Sequence, residues 1–111
     1  MSEKADVAVA ADPKPTPVAG EAPWYLPKKP SNPTHTSQVH VLAHASTSRL
    51  VRVCYTKGAE GSYVAVRSNK AGGFNVATNV HLGACTDIEG TDIEITNNNS
   101  EPASGTYQLL S

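Results

Sequence analysis

Apolar and polar side chains alternate with a period of two over most of the chain after residue 38. The clearest run covers residues 74–82, where every second side chain is apolar or β-branched and the others are small or polar. Phe74, Val76, Thr78, Val80 and Leu82 lie on one predicted face, and Asn75, Ala77, Asn79 and His81 lie on the other. This alternation is typical of a β-strand with one buried face.

Similar runs, rich in β-branched residues, recur along the rest of the chain. They cover residues 38–45, 49–57, 62–68, 92–96 and 106–110. Glycine-containing turns follow two of them, at residues 57–61 and 69–73, and no segment has the period of a helix. The pattern predicts an all-β fold, a small antiparallel sandwich or barrel of about six to seven strands.

Proline is concentrated at the start of the chain. Seven of the eight prolines lie in the first third, at positions 13, 15, 17, 23, 27, 30 and 33. Proline fixes φ and lacks the backbone donor, so neither a helix nor a central strand tolerates this density. We therefore predict that residues 1–33 form an extended, Pro/Ala-rich N-terminal arm and that residues 34–111 form the sandwich or barrel domain.

Three large side chains interrupt the arm. Trp24, Tyr25 and Leu26 stand between Pro23 and Pro27, and an exposed cluster of this kind is costly in water. In one interpretation the cluster folds back over an open side of the sandwich. In the other, Trp24, Tyr25 and Leu26 are a partner-binding peptide. The flanking prolines keep this peptide extended, so that it loses little entropy on binding.

The predicted domain has few large side chains for a core. Phe74 is the only phenylalanine of the chain, and a β-domain of about 80 residues lies near the size at which core burial barely exceeds the loss of chain entropy. We expect extra burial from the arm, from copies of the chain or from a larger partner.

The charges nearly balance but are segregated along the chain. The formal net charge is −1, which argues against nucleic acid or an anionic membrane as a partner. Basic residues come first, at 49, 52, 57, 67 and 70, and acidic residues follow, at 87, 89, 92, 94 and 101. Two interpretations stay open. The groups are solvated edges of one sandwich, or the basic flank of one molecule meets the acidic flank of a neighbour.

The sequence shows no transmembrane run and no signal peptide at its start. No window is long and apolar enough for a membrane-spanning helix, and the segment from Met1 to Asp12 lacks the basic and apolar regions of an export signal. We expect a cytoplasmic or virion location, and a mature form that has lost its export signal stays open.

Neither group of residues that resembles metal ligands has a suitable spacing. His40 and His44 could bind one ion on a helix, whereas on the predicted strand they stand ~13 Å apart. The acidic run from Asp87 to Glu94 does not follow the ligand order of a calcium-binding loop. We expect no metal and no other cofactor.

Nothing in the sequence has the arrangement of a catalytic site. A Gly-x-Ser-x-Gly nucleophile motif does not occur. The two cysteines and four histidines are at positions that define no triad by themselves. We expect that the protein is not an enzyme.

Cys54 and Cys85 allow two interpretations. In a reducing compartment they are ordinary small buried residues. In an oxidising one they could join two strands and close a loop of about 30 residues. Their spacing has no CxxC element and is not that of a zinc site.

An Ala/Pro-rich arm ahead of a compact β-domain resembles the plan of small virion decoration proteins, in which the arm laces neighbouring capsid subunits together. No motif carries this resemblance, so it assigns no residues. We expect a non-enzymatic structural or assembly protein. Its β-domain would dock on a larger scaffold or on copies of itself, and its arm would extend along a neighbour. An accessory subunit of a large enzyme complex would have the same features.

The alternative function is a small ligand- or carbohydrate-binding module. Asn75, Asn79 and His81 share one predicted strand face and could donate hydrogen bonds to a polar ligand. The polar loops at residues 69–73 and 97–105 would complete such a site.

Overall fold

The structure is a computed structural model that describes residues 19–32, 36–69 and 74–111, with the side chains of Phe74 and Asn75 excluded. The described residues form eight strands and no helix. The strands are β1 (Ala22–Leu26), β2 (Ser37–Leu42), β3 (Arg49–Lys57), β4 (Tyr63–Asn69), β5 (Phe74–His81), β6 (Cys85–Gly90), β7 (Asp92–Asn97) and β8 (Ala103–Leu109). The predicted all-β class is confirmed.

The strands form two antiparallel sheets of four strands each. The first sheet has the order β1-β8-β3-β6, and the second has the order β2-β7-β4-β5. The pairs β1 with β8, β2 with β7, β3 with β6 and β4 with β5 nest inside one another. The chain is therefore a long hairpin wrapped into a sandwich, which is the strand order of a jelly roll.

The core lies between the two sheets and is built from every second side chain, as the alternation predicts. The fully buried hydrophobic residues of β3 and β4 are Val51, Val53, Tyr55, Val64 and Val66. The other buried hydrophobic residues of the core are Ile93 and Ile95 of β7, Ile88 of β6, Trp24 and Leu26 of β1, Val80 of β5 and Ala103 of β8. Side chains two residues apart share a face of a strand, so each strand presents one apolar row to the other sheet.

β2 departs from the predicted run of residues 38–45. Its register with β7 shifts between His40 and Leu42, which marks a bulge. The strand ends at Leu42, and His44 has a positive φ of 55°. A bulge changes which face the following residues present, so Val41 and Leu42 are both half-buried at the same rim of the sandwich instead of lying on opposite faces.

Strand β1 comes before the predicted boundary at residue 33 and belongs to the first sheet, so part of the predicted arm is part of the sandwich. Residues 22–26 of the predicted arm are strand β1, which pairs with β8 along its whole length. Pro23 is compatible with this position because β1 is an edge strand. The segment before Ala19, including Pro13, Pro15 and Pro17, lies outside the described part of the chain, so an extended arm stays a prediction for it.

Candidate interaction surfaces

The Trp24, Tyr25, Leu26 cluster is divided between the core and the surface. Trp24 is 4% exposed and Leu26 is 3% exposed, whereas Tyr25 is 62% exposed. The Trp24 Nε1 donates to the carbonyl oxygens of Cys54 at 3.0 Å and Thr106 at 3.2 Å. Two of the three residues predicted to bind a partner therefore pack into their own domain, and Tyr25 alone is accessible.

The segment after β1 is tied to the loop between β7 and β8. The carbonyl oxygen of Pro27 accepts hydrogen bonds from Ser37 Oγ at 2.7 Å and from Asn97 Nδ2 at 3.0 Å. The backbone N–H of Lys29 donates to the carbonyl oxygen of Asn99 at 2.9 Å. These bonds hold the Pro27–Lys29 segment against the sandwich.

Asn97 is the last residue of β7 and anchors this loop, although the sequence pattern did not distinguish it. Its side chain is fully buried, and its Nδ2 also donates to the carbonyl oxygen of Glu101 at 3.0 Å. Its Oδ1 accepts from the backbone N–H of Asn99 at 3.1 Å and from Asn99 Nδ2 at 2.6 Å. Asn97 is therefore committed to structure and cannot serve the ligand-binding role considered for the 97–105 loop.

The outer face of β5 carries two of the three residues considered for ligand binding. Asn79 and His81 are exposed, and the side chain of Asn75 is outside the described part. The His81 ring lies against Tyr63 of β4, with ring centroids 5.5 Å apart. Tyr63 is 48% exposed. The result is a small aromatic platform with an amide side chain beside it.

A second group on the outer face of the second sheet centres on Glu94. Glu94 is 4% exposed although it lies on the outer face of β7. His40 Nε2 and Arg67 Nη1 each lie 3.7 Å from one of its carboxylate oxygens. A carboxylate with so little solvent needs compensating charge. Arg67 on β4 supplies it, and the His40 imidazole on β2 lies beside it, so we interpret the group as structural.

The cysteines form a disulfide between paired residues of β3 and β6. Cys54 lies opposite Cys85 in the register of the two strands, with their Cα atoms 4.0 Å apart. Of the two interpretations that the sequence left open, the structure has the bonded one. The disulfide lies at the surface, beside an open cleft of about 540 Å³ that Arg52 and Asp87 also line.

Arg52 and Asp87 are held by each other. Arg52 Nε donates to Asp87 Oδ1 at 2.8 Å, and Arg52 Nη2 donates to Asp87 Oδ2 at 3.0 Å. The hydrogen bonds to Asp87 raise the pKa of Arg52 above its ordinary value. Because Arg52 and Asp87 bind each other, neither charged group of this pair is available to bind a ligand in the cleft.

The segregated charges of the sequence are partly joined within the molecule. Arg52 pairs with Asp87 through the β3–β6 register, and Arg67 approaches Glu94 through the β4–β7 register. The acidic run is also divided, because β6 belongs to the first sheet and β7 to the second. These internal pairs reduce the charge available for the predicted contact between flanks of neighbouring molecules.

The two histidines considered as metal ligands have separate partners. His40 lies near Glu94, whereas His44 Nδ1 lies 3.8 Å from Asp92 Oδ1. Among the described residues, no three His, Cys, Asp or Glu side chains converge on a possible metal position. His35 lies outside the described ranges.

An apolar cleft opens at the rim where β1 and β2 lie side by side. Its volume is about 250 Å³. It is lined by Ala19, Gly20, Ala22, Val41, Leu42, Val51, Tyr107 and Leu109. The sequence did not predict it, because residues from β1, β2, β3 and β8 meet there only through the strand order. The bulge in β2 is the local feature that brings Val41 and Leu42 to it.

Two further findings concern membrane-spanning helices and similarity to known proteins. None of the described segments has the helical structure, length and apolar character that crossing a membrane as a helix would need. Comparison of the chain with protein-family models, with curated proteins and with solved structures finds no match in any of the three.

Proposed function

We propose that this chain is a non-enzymatic structural protein. Its jelly-roll domain docks on a larger scaffold or on copies of itself, and the residues before β1 extend along a neighbour. A virion decoration protein is the concrete version, and an accessory subunit of a large complex is equally compatible. Jelly rolls occur in capsid domains, lectins and cupins, so the fold permits this role without identifying it.

One observation carries the proposal. The chain enters the sandwich at edge strand β1, where Ala19 and Gly20 line the apolar cleft. The segment before Ala19 contains three prolines and no aromatic side chain. A segment of this composition cannot form a core of its own. It joins the domain at a rim that a neighbouring molecule can reach.

The residues available to a partner differ from those first expected. Trp24 and Leu26 are in the core, so Tyr25 remains from the predicted anchor group. Val76 is 45% exposed at the opposite rim, on β5. These exposed apolar side chains are candidates for contacts with a scaffold.

The test compares the solution mass of the full chain with that of a variant that starts at Ala19. We expect the full chain to be oligomeric in light scattering and the truncated chain to be a monomer with an unchanged melting temperature. A second variant that starts at Ser31 is the control for β1. It loses Trp24 and Leu26 from the core, so we expect it to unfold. Equal masses for the full chain and the Ala19 variant would reject self-assembly through these residues.

The second candidate function is carbohydrate binding on the platform of Tyr63 and His81. The ring contact at 5.5 Å and the exposed amide of Asn79 favour it, because a sugar needs an apolar surface together with a few oriented hydrogen-bonding groups. A glycan array followed by calorimetry tests the idea. Tyr63→Ala should abolish any binding found, whereas Tyr25→Ala, another exposed tyrosine, should not.

A further inference from the structure

The apolar cleft between β1 and β2 leaves the surface of hydrophobic side chains in contact with water, which is unfavourable. Val41, Leu42, Tyr107 and Leu109 are all partly buried hydrophobic residues at the edge of the core. Their remaining apolar surface faces the cleft, and covering such surface is favourable in proportion to its area. The bulge in β2 keeps Val41 and Leu42 at this rim.

The cleft is smaller than most sites for drug-sized ligands, and its size suits a short peptide with small side chains. Sites for drug-sized ligands usually have about 300–1,000 Å³ and a few convergent polar groups. This cleft has about 250 Å³. Its lining side chains are aliphatic apart from Tyr107, so a fitting occupant presents aliphatic side chains in a row.

The segment before Ala19 contains one stretch with that chemistry. Residues 7–11 read Val-Ala-Val-Ala-Ala and lie between Asp6 and Asp12. In an extended conformation Val7, Val9 and Ala11 share one face, and Ala8 and Ala10 share the other. The two branched side chains would enter the cleft, and the flanking carboxylates would remain in water.

The residues that join this stretch to the domain decide which molecule it can reach. Ala19 already lines the cleft, so residues 7–11 of the same molecule would have to turn back within residues 12–18. Pro13, Pro15 and Pro17 lie in that connection. Each proline fixes its own φ and favours an extended conformation in the residue before it. Such a connection favours an extended conformation, which spans about 3 Å per residue, over a turn that would return residues 7–11 to their own domain.

We infer that the β1–β2 cleft binds residues 7–11 of a second copy of this chain. This inference rests on the proposed assembly function and assigns the surface that receives the N-terminal segment. Each molecule is donor and acceptor at once, so the contact is head-to-tail. Repetition of such a contact closes into a ring or continues as a filament.

The test uses full-length chains that are impaired either as donor or as acceptor. The donor variant is Val7→Asp with Val9→Asp, and its matched control is Ala8→Asp with Ala10→Asp on the opposite face of the segment. The acceptor variant is Val41→Asp, and its matched control is Ala77→Asp, at an exposed residue of β5 in the second sheet. We expect the donor and acceptor variants to be monomers in light scattering and both controls to keep the wild-type mass.

Mixing the two variants is the decisive step. The donor variant has an intact cleft and the acceptor variant has an intact segment, so an equimolar mixture should form a heterodimer of twice the monomer mass. A mixture that stays monomeric overturns the inference. Emission of Trp24 in the core reports whether each variant is folded, and the milder acceptor variant Val41→Thr replaces Val41→Asp if that chain unfolds.

Other outcomes separate this inference from the proposed function. If the mass depends on the segment before Ala19 but Val41 variants keep the oligomer, the cleft is not the receiving surface and the assembly function stands. If the donor variant lowers the melting temperature of a monomer, the segment binds its own cleft and the inference is wrong. If the wild-type chain is a monomer at every concentration, self-assembly and the inference fail together.

Discussion

Gly105 is the residue at which β1, β8 and β3 meet. It lies opposite Trp24 in the β1–β8 register and opposite Tyr55 in the β3–β8 register. The two rings approach each other across it, with centroids 6.1 Å apart. A side chain at this position would collide with the carbonyl oxygen of Cys54 and would lie 3.0 Å from Trp24 Cε2. The absence of a side chain is what lets the indole of Trp24 reach β3.

Gly105→Ala is therefore expected to lower the free energy of unfolding by about 3 kcal/mol, because the backbone of two strands must separate to admit one methyl group. Urea unfolding followed by the fluorescence of Trp24, the only tryptophan, measures the change. Gly20→Ala is the matched control, since a Cβ there meets nothing within 4 Å, and it should change stability by less than about 0.5 kcal/mol. Equal midpoints for the two variants would contradict this account.

Asn97 and Asn98 are adjacent asparagines with different roles. Asn97 is buried and bridges the Pro27 and Glu101 carbonyl oxygens, whereas Asn98 is exposed. Asn97→Ala removes these donors from two partly buried hydrogen bonds, which costs about 2 kcal/mol. Asn98→Ala should be nearly neutral in the same urea titration. If both variants unfold at the same urea concentration, the Asn97 bonds do not stabilise the fold.

At the scale of single elements, β6 depends most on a covalent link. It is an edge strand with β3 as its neighbour in the first sheet, and Ile88 is its large buried side chain. The disulfide joins it to β3 at the end opposite Gly90, across a sequence separation of 31. Strands at an edge open more readily than central ones when their apolar contacts are few.

Removing this disulfide with Cys54→Ala and Cys85→Ala should lower the free energy of unfolding by about 3–4 kcal/mol, the value that the chain-entropy model assigns to a loop of this length. Hydrogen exchange should rise mainly in β6, since the other edge strand β1 keeps Trp24 in the core. Adding dithiothreitol to the double variant is the control and should have no further effect. If reduction of the wild-type chain leaves its melting curve unchanged, the disulfide does not carry this stability.

At the scale of the whole molecule, the jelly-roll order joins residues that are far apart in the sequence. β4 and β5 form the hairpin between consecutive strands of one sheet, while β1 pairs with β8 and β2 with β7 across most of the chain. The same order brings the early cations Arg52 and Arg67 to the late anions Asp87 and Glu94. The basic and acidic residues are separated along the sequence, and the strand order is what pairs them within the molecule.

Refolding from urea with the disulfide intact should be slow for a chain of this size, on the order of milliseconds to seconds, because distant strands must pair before the core forms. Stopped-flow fluorescence of Trp24 measures it, since Trp24 is buried only when β1 has joined β8 and β3. A microsecond phase that recovers the full native signal would contradict this expectation. The Cys54→Ala, Cys85→Ala variant should refold more slowly still if β3–β6 pairing is part of the folding nucleus.

The sequence alone determined that Val80 of β5 faces the core, because alternation is a property of the extended backbone and does not depend on the partner strand. It therefore also predicted the exposure of Asn79 and His81 and the all-β class.

Only the tertiary structure decided the role of β1. A short, proline-containing segment has too little pattern of its own, and the burial of Trp24 depends on Gly105 and Cys54, which lie far along the chain. The disulfide, the Asn97 contacts, the internal ion pairs and the apolar cleft likewise depend on strand order. Strand order is set by the packing of distant residues against one another, and the local pattern of a strand does not contain it.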